Sequence, residues 1–249
     1  MRFFIQFSYY GKAYHGWQNQ PNAITVQEVL EKAMTTILNQ PVALTGAGRT
    51  DAGVHAKEMF AHFDVEDLTG IPNFIFRLNS LLPVDIAVKD IFKVLDDAHA
   101  RFNALSRTYE YHITKAKDPF MHNTAHYIKK ELNIEDMNRA ALLLIGKKDF
   151  ECFSKSNTEV FTNICDLTYA KWEVNQDHLI FTITADRFLR NMVRAIVGTL
   201  INVGVGKYGP NYVNTILKSK DRSKAGVSVP AKGLYLTSIV YPNTILKNG

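Results

Sequence analysis

The order of hydrophobic periods along the chain is its strongest constraint. Stretches that alternate apolar and polar residues, as strands do, are interleaved with stretches whose apolar residues recur every three to four positions, as in helices. The order strand–helix–strand–strand–helix–strand occurs twice, with no repeat in the residues themselves. Two similar α+β halves sharing one sheet form the simplest architecture that satisfies this order. The join falls within 96–106, giving a first domain at 1–100 and a second at 101–249. A chain of 249 residues is long enough for two modest domains without disulfide or metal staples.

The first half opens with a strand at 2–9. Thr25-Val26-Gln27-Glu28 fits a capping box, in which two side chains satisfy orphan backbone donors. Behind it Val26, Val29, Leu30, Ala33, Met34, Ile37 and Leu38 keep helical spacing, and Gln40-Pro41 closes the helix. Strands follow at 42–45, 59–65 and 86–95, with a short helix from Pro72 to Leu82. The second half has a strand at 107–114 and a helix capped by Asn133 and ended by Gly146. A hairpin, 167–174 with 178–184, turns across Asn175-Gln176-Asp177. A helix at 188–203, another from Pro210 and a closing strand at 234–240 complete it.

Composition narrows the class. With 46% hydrophobic and 21% charged residues the chain is globular in balance. No apolar run reaches the ~18–20 residues of a membrane span. The best candidate, 192–205, is interrupted by Arg194 and Asn202. The N-terminus alternates, so no secretory leader is expected. Cys152 and Cys165 lie thirteen positions apart with no CxxC, which fits two core thiols in a reducing cytoplasm. The 29 basic against 24 acidic residues leave a net charge of +5, which permits a polyanionic partner without requiring one.

Four stretches carry candidate chemistry. The segment 46–55, Gly-Ala-Gly-Arg-Thr-Asp-Ala-Gly-Val-His, holds Arg49 and Asp51 among three glycines between two strands. It lacks the Gly-Lys-Ser/Thr of a phosphate loop. On the helix at 188–203, Arg187, Arg190, Arg194 and Gly198 fall on one side with no acidic partner at i±4, and such a row seeks an external anion. Arg107, Tyr109 and Tyr111 share one face of a strand, a pattern able to stack a base and hold a phosphate. The aromatic stretch from Tyr9 to Gln18 either stacks on a ligand or covers the core edge. Asp51, His55 and His62 match no standard zinc spacing.

Taken together, these residues resemble a known family. Gly48-Arg49-Thr50-Asp51-Ala52-Gly53-Val54-His55 is similar to the signature loop of the tRNA pseudouridine synthase A family. Tyr14-His15-Gly16-Trp17-Gln18 with Thr25-Val26-Gln27, Leu82-Pro83-Val84-Asp85-Ile86, and Arg101-Phe102-Asn103-Ala104 also match its blocks. So do Arg107-Thr108-Tyr109-Glu110-Tyr111, Asp149-Phe150, 188–198 with Met192-Val193-Arg194, and Pro230-Ala231-Lys232-Gly233-Leu234-Tyr235-Leu236. Lys57-Glu58-Met59 departs from the smaller or more polar residues expected after the signature.

The resemblance implies an α+β fold of two similar halves. Each would be a mainly antiparallel sheet with helices on one face, and the two would meet around a central active-site cleft. It implies isomerisation of uridine to pseudouridine in the anticodon arm of tRNA, typically at positions 38 to 40. Asp51 would be the catalytic aspartate, Arg194 its partner, Tyr109 the residue against the base, and Arg49 an RNA contact that helps extrude the nucleotide. Lys12, Arg187 and Arg190 are candidates for phosphate contacts. No metal or organic cofactor is implied, and the working form would be a cytoplasmic homodimer. A guanidinium beside a carboxylate favours its ionised form, and a stacked, paired base must be flipped out before reaction. Two other readings stand beside this one: a noncatalytic RNA-binding protein, and a metal-dependent hydrolase using Asp51, His55 and His62.

Overall fold

The computed structural model describes residues 1–155, 161–176 and 178–246. The chain is mixed α/β, with mostly antiparallel strands and, among the described residues, five α-helices. It divides into two compact units, Met1–Leu105 with Leu236–Gly249, and Ser106–Tyr235.

In the first unit the central strand β1 (Arg2–Tyr9) has a short strand-pairing partner set of its own. It lies antiparallel to β3 (His55–Asp64) on one side and to β4 (Ile86–Lys93) on the other. The two-residue strand β2 (Thr45–Gly46) adds to β3. The expected strand at 42–45 is therefore mostly not ladder. Val42 N–H donates to Thr35 Oγ1 and Leu44 N–H to Glu31 Oε1, so side chains of the first helix replace a neighbouring strand. That helix, α1 (Val26–Leu38), buries Val26, Leu30, Ala33 and Met34 and ends at Asn39, φ +52. Thr25 caps it by accepting the Glu28 N–H at 3.3 Å. The Glu28 carboxylate pairs with Lys32 one turn on, so the reciprocal half of the capping box is replaced by an i,i+4 ion pair. The short helix α2 (Phe74–Leu81) packs on β4 and α1.

Alternation in β3 does not separate core from solvent. Phe60 and His62 are buried as deeply as Ala61 and Phe63 are on the other face. The covering group is Tyr241, whose ring lies 5.2 Å from both Phe4 and Phe60 and whose hydroxyl donates to the Ala100 carbonyl. The returning C-terminal segment thus seals a face that the local sequence marks as half polar.

The second unit orders β5 (Ser106–Thr114), β9 (His178–Ala185), β8 (Ile164–Asn175) and β7 (Gly146–Asp149) as one antiparallel run. The short β6 (His126–Tyr127) pairs parallel with β5. The hairpin of β8 and β9 closes on Asn175↔His178, and Asp177 of its turn lies outside the described residues. Helix α3 (Ile134–Leu142) is capped by Asn133, which accepts the Asp136 N–H at 3.1 Å. Gly146, at φ +98, opens β7 and does not close the helix. Lys148 Nζ satisfies the carbonyls of Leu143 and Ile145 at 2.6 Å each. Helix α4 (Met192–Gly204) packs on α3 and is buried along nearly its whole length, and α5 (Tyr212–Ser219) follows. The last strand, β10 (Leu234–Val240), matches the expected bounds.

Candidate active site

The loop 46–55 is held by the aromatic stretch before α1. Trp17 N–H donates to the Thr50 carbonyl at 3.3 Å, and Gly53 N–H to the Tyr14 carbonyl at 3.2 Å. The Tyr9 hydroxyl bonds Thr50 Oγ1 at 2.8 Å. Gly11 N–H donates to His55 Nδ1 at 3.0 Å, and the Tyr10 ring stacks on the His55 imidazole at 4.6 Å. The Asp51 carbonyl accepts the Val54 N–H, closing a turn that Gly53 completes at φ +77. Gly16 sits at φ +93 where a Cβ would come within 2.3 Å of the Thr50 carbonyl oxygen, so only glycine fits. The wrapping stretch is in turn tied to Asp85. Its Oδ1 accepts the Tyr14 hydroxyl at 2.6 Å, and its carbonyl accepts Tyr10 N–H at 2.8 Å.

The result is a loop whose backbone is fixed at several points. Thr50, Val54 and His55 are buried, Asp51 is half-buried and Arg49 is exposed. The aromatic stretch therefore serves as scaffold: the Tyr9 hydroxyl and the Tyr10 ring meet the loop, while the Tyr14 hydroxyl anchors the stretch to Asp85. The signal for this was present in the sequence. Gly11 and Gly16 are spaced through that stretch where two backbones meet. Exposed Lys12 lies on the same stretch, in a single turn of 3-10 helix (Gly11–Ala13).

His55 and His62 sit seven residues apart on β3, about 23 Å along an extended strand, with a bulge in the pairing between them. Each imidazole already accepts a backbone N–H at Nδ1, from Gly11 and from Ala100. Burial holds His62 down to about 4, helped by the charges of Arg2 and His99. The trio with Asp51 is thus not a cluster, and among the described residues no three His, Cys, Asp or Glu side chains form a group fit for a metal. The departure at 57–59 is structural. Glu58 accepts from Gln6 Nε2 and from the Ile239 N–H, both at 2.8 Å, and Met59 is fully buried. Cys152 and Cys165 are buried free thiols, pushed up to about 12 by burial.

The second unit holds the other candidates. Tyr109 on β5 is half-buried and meets the Phe188 ring edge to face, at 5.2 Å and 87°. Phe188 was not singled out as its partner from sequence, because the two lie far apart along the chain. Tyr111, on the same face, is fully buried and donates its hydroxyl to the Pro230 carbonyl at 2.9 Å. It belongs to the core, and the expected basic and aromatic face shrinks to Arg107 and Tyr109. Arg107 Nη1 donates to the Asp186 carbonyl at 2.7 Å.

The arginine row expected on one helix does not form. Helix α4 begins at Met192, behind Asn191 at φ +66, so Arg187 and Arg190 precede it. Asp186 fixes that preceding segment, its Oδ1 accepting the N–H groups of Asp166 and Arg187 at 2.8 and 2.7 Å. Arg187 is half-buried and Arg190 exposed. Arg194 is on the helix, half-buried, with Nε donating to the Val229 carbonyl at 2.8 Å while its own carbonyl accepts Val229 N–H at 3.3 Å. Gly198, one turn on, abuts backbone as its position suggested. A Cβ there would lie 1.9 Å from the Val227 carbonyl oxygen. The close neighbour is the chain's own 226–229 segment.

Residues 140–242 match the family model described as tRNA pseudouridine synthase. The tRNA pseudouridine synthase A of Porphyromonas gingivalis is 51% identical over 248 residues, covering 98% of each chain. That of Parabacteroides distasonis is 49% identical over 245 residues, covering 98% of this chain and 97% of the other. That of Thermoanaerobacter pseudethanolicus is 46% identical over 242 residues, covering 95% and 98%. The chain belongs to the tRNA pseudouridine synthase A family, a class of isomerases. Among the described residues no helix is long and apolar enough to cross a membrane.

Proposed function

We propose that this chain isomerises uridine to pseudouridine in the anticodon arm of tRNA, at positions 38 to 40, with Asp51 as the nucleophile. The observation that carries the reading is near full-length identity of about half to proteins named tRNA pseudouridine synthase A. The clamped loop supports the assignment of Asp51, because a nucleophile works from a fixed base while its carboxylate stays accessible.

The reaction breaks the bond from uracil to C1′, turns the base and rejoins it through C5. Substrate and product have one formula, so the C5 hydrogen leaves as a proton and one proton returns to the base. The target base is flipped out first, at a cost of a few kcal/mol, and Arg49 takes up the vacated space. Arg194 is assigned, on the family resemblance, the role of keeping the Asp51 carboxylate charged, for which a guanidinium fork suits better than an ammonium. Tyr109 holds the detached uracil against its ring, with Phe188 fixing the ring plane. Lys12, Arg187 and Arg190 contact phosphates, and tRNA shape selects the arm because an A-form major groove is too deep and narrow to read. The enzyme works as a cytoplasmic homodimer, and it uses no cofactor.

A pseudouridine map of tRNA treated with wild type and with Asp51→Ala tests the reading. Pseudouridine at 38 to 40 with wild type alone is the expected outcome. Wild type that binds tRNA and forms no pseudouridine would establish the noncatalytic reading instead.

A further inference from the structure

Positive charge is distributed very unevenly along this chain. Residues 187–249 hold ten lysines and arginines against one aspartate, a net +9, while 1–186 hold 19 against 23, a net −4. The candidate site uses three of the ten. Two others are built into a structured patch. After α4 the backbone turns through Gly206, at φ +74, and enters α5 at Tyr212. There the rings of Tyr208 and Tyr212 stack at 3.9 Å and 15°. Lys207 Nζ lies 5.2 Å from the centre of the Tyr208 ring. The Tyr212 hydroxyl donates to the Lys224 carbonyl at 3.3 Å, which ties the backbone of a second lysine to the stacked pair.

Neighbouring charges are committed elsewhere. Lys220 pairs with Asp149 at 2.7 Å, and Arg222 turns inward to Gly226 O and Ser228 Oγ. The carboxylate of Asp221, the one acid of the segment, caps Ser223 through both its N–H and its hydroxyl. Among the described residues, Lys207 and Lys224 take part in no ion pair and both are exposed. A cation resting on a stacked ring loses less side-chain freedom when it meets an anion than a lysine on open surface does.

We propose that Lys207, Tyr208, Tyr212 and Lys224 form a second RNA-contacting surface, binding backbone phosphates of the tRNA away from the reacting nucleotide. This rests on the tRNA reading above for its ligand. Charge complementarity selects RNA: the four side chains carry only positive charge, the neighbouring Asp221 being engaged by Ser223, and the substrate carries one phosphate per nucleotide. The rings add a contact for ribose or base that an open lysine pair lacks.

The test is equilibrium binding of an unmodified tRNA transcript across a salt series, with melting curves to confirm folding. Lys207→Ala/Lys224→Ala is expected to weaken binding about tenfold at low salt and to reduce the slope of log K against log salt by about 1 to 2. Tyr208→Ala/Tyr212→Ala is expected to weaken binding several-fold, with Tyr208→Phe/Tyr212→Phe restoring most of it. Lys129→Ala/Lys130→Ala removes the same charge elsewhere in the second unit and is expected to leave the slope unchanged. An unchanged slope in the Lys207/Lys224 variant would overturn the proposal. So would an equal loss in the control pair, or tyrosine variants that lose self-association while binding RNA normally. Because binding alone is read, failure of the patch and failure of the isomerase reading give different results.

Discussion

The acidic loop of the first unit and the start of α4 in the second present their charges by opposite means. At 46–55 the scaffold is separate from the chemistry. Tyr9, Gly11, Tyr14, Gly16 and Trp17 hold the backbone through Thr50, Gly53 and His55. At Arg194 the charged side chain is itself part of the scaffold, since its guanidinium and its backbone carbonyl both bond Val229. A site built the first way tolerates exchange of its charged group without losing its shape. A site built the second way changes shape and charge together.

The largest effect that would sharpen this contrast is steric. Gly198→Ala drives a Cβ into the Val227 carbonyl, at the strand of backbone that also carries Val229. It is expected to destabilise the fold by about 3 kcal/mol in a denaturant titration. In the acidic loop, Gly48→Ala meets nothing within 4 Å.

Next comes acid. His62 is held neutral by burial, with a folded value of about 4 against an unfolded value of 6.5. A lowered histidine value means that protons bind the unfolded chain better. Stability from His62 is therefore complete above pH 6.5 and is lost as pH falls toward 4, by about 3 kcal/mol. A ring-proton NMR titration of His62 checks the value, and a titration midpoint near 6.5 would break the assignment.

Tyr14→Phe follows. It removes the hydroxyl that Asp85 accepts and is expected to cost about 1–2 kcal/mol. If the clamp sets the Asp51 geometry, kcat falls several-fold with KM for tRNA nearly constant. A fall in stability with kcat intact would show that the clamp is structural alone. The smallest effect is the Gly48→Ala control, expected to stay within about 0.5 kcal/mol of wild type.

What the sequence made legible follows from range. Elements set by local period and capping, such as β1, α1 and β10, stand close to their expected bounds. Features set by distant chain were not visible. Tyr241 seals the face of β3 that alternation marks as polar, and Pro230 takes the hydroxyl of a tyrosine that strand periodicity placed on a ligand face. The helix expected at 188–203 is longer than α4 because its apolar spacing continues upstream. Asn191 in a left-handed conformation, with Asp186 holding the segment before it, ends the helix at Met192. Within the acidic loop the residue types were readable, but the partner that rigidifies it lies some thirty to forty positions earlier.

Catalysis by Asp51 is tested most directly by hydrogen release. Joining uracil to the ribose through C5 expels the hydrogen that C5 carries. With tRNA labelled with tritium at uridine C5, wild type is expected to release label into water, and Asp51→Asn to release it roughly 10³-fold more slowly or less, with tRNA affinity within twofold of wild type. Release by Asp51→Asn at the wild-type rate would contradict the assignment of this carboxylate.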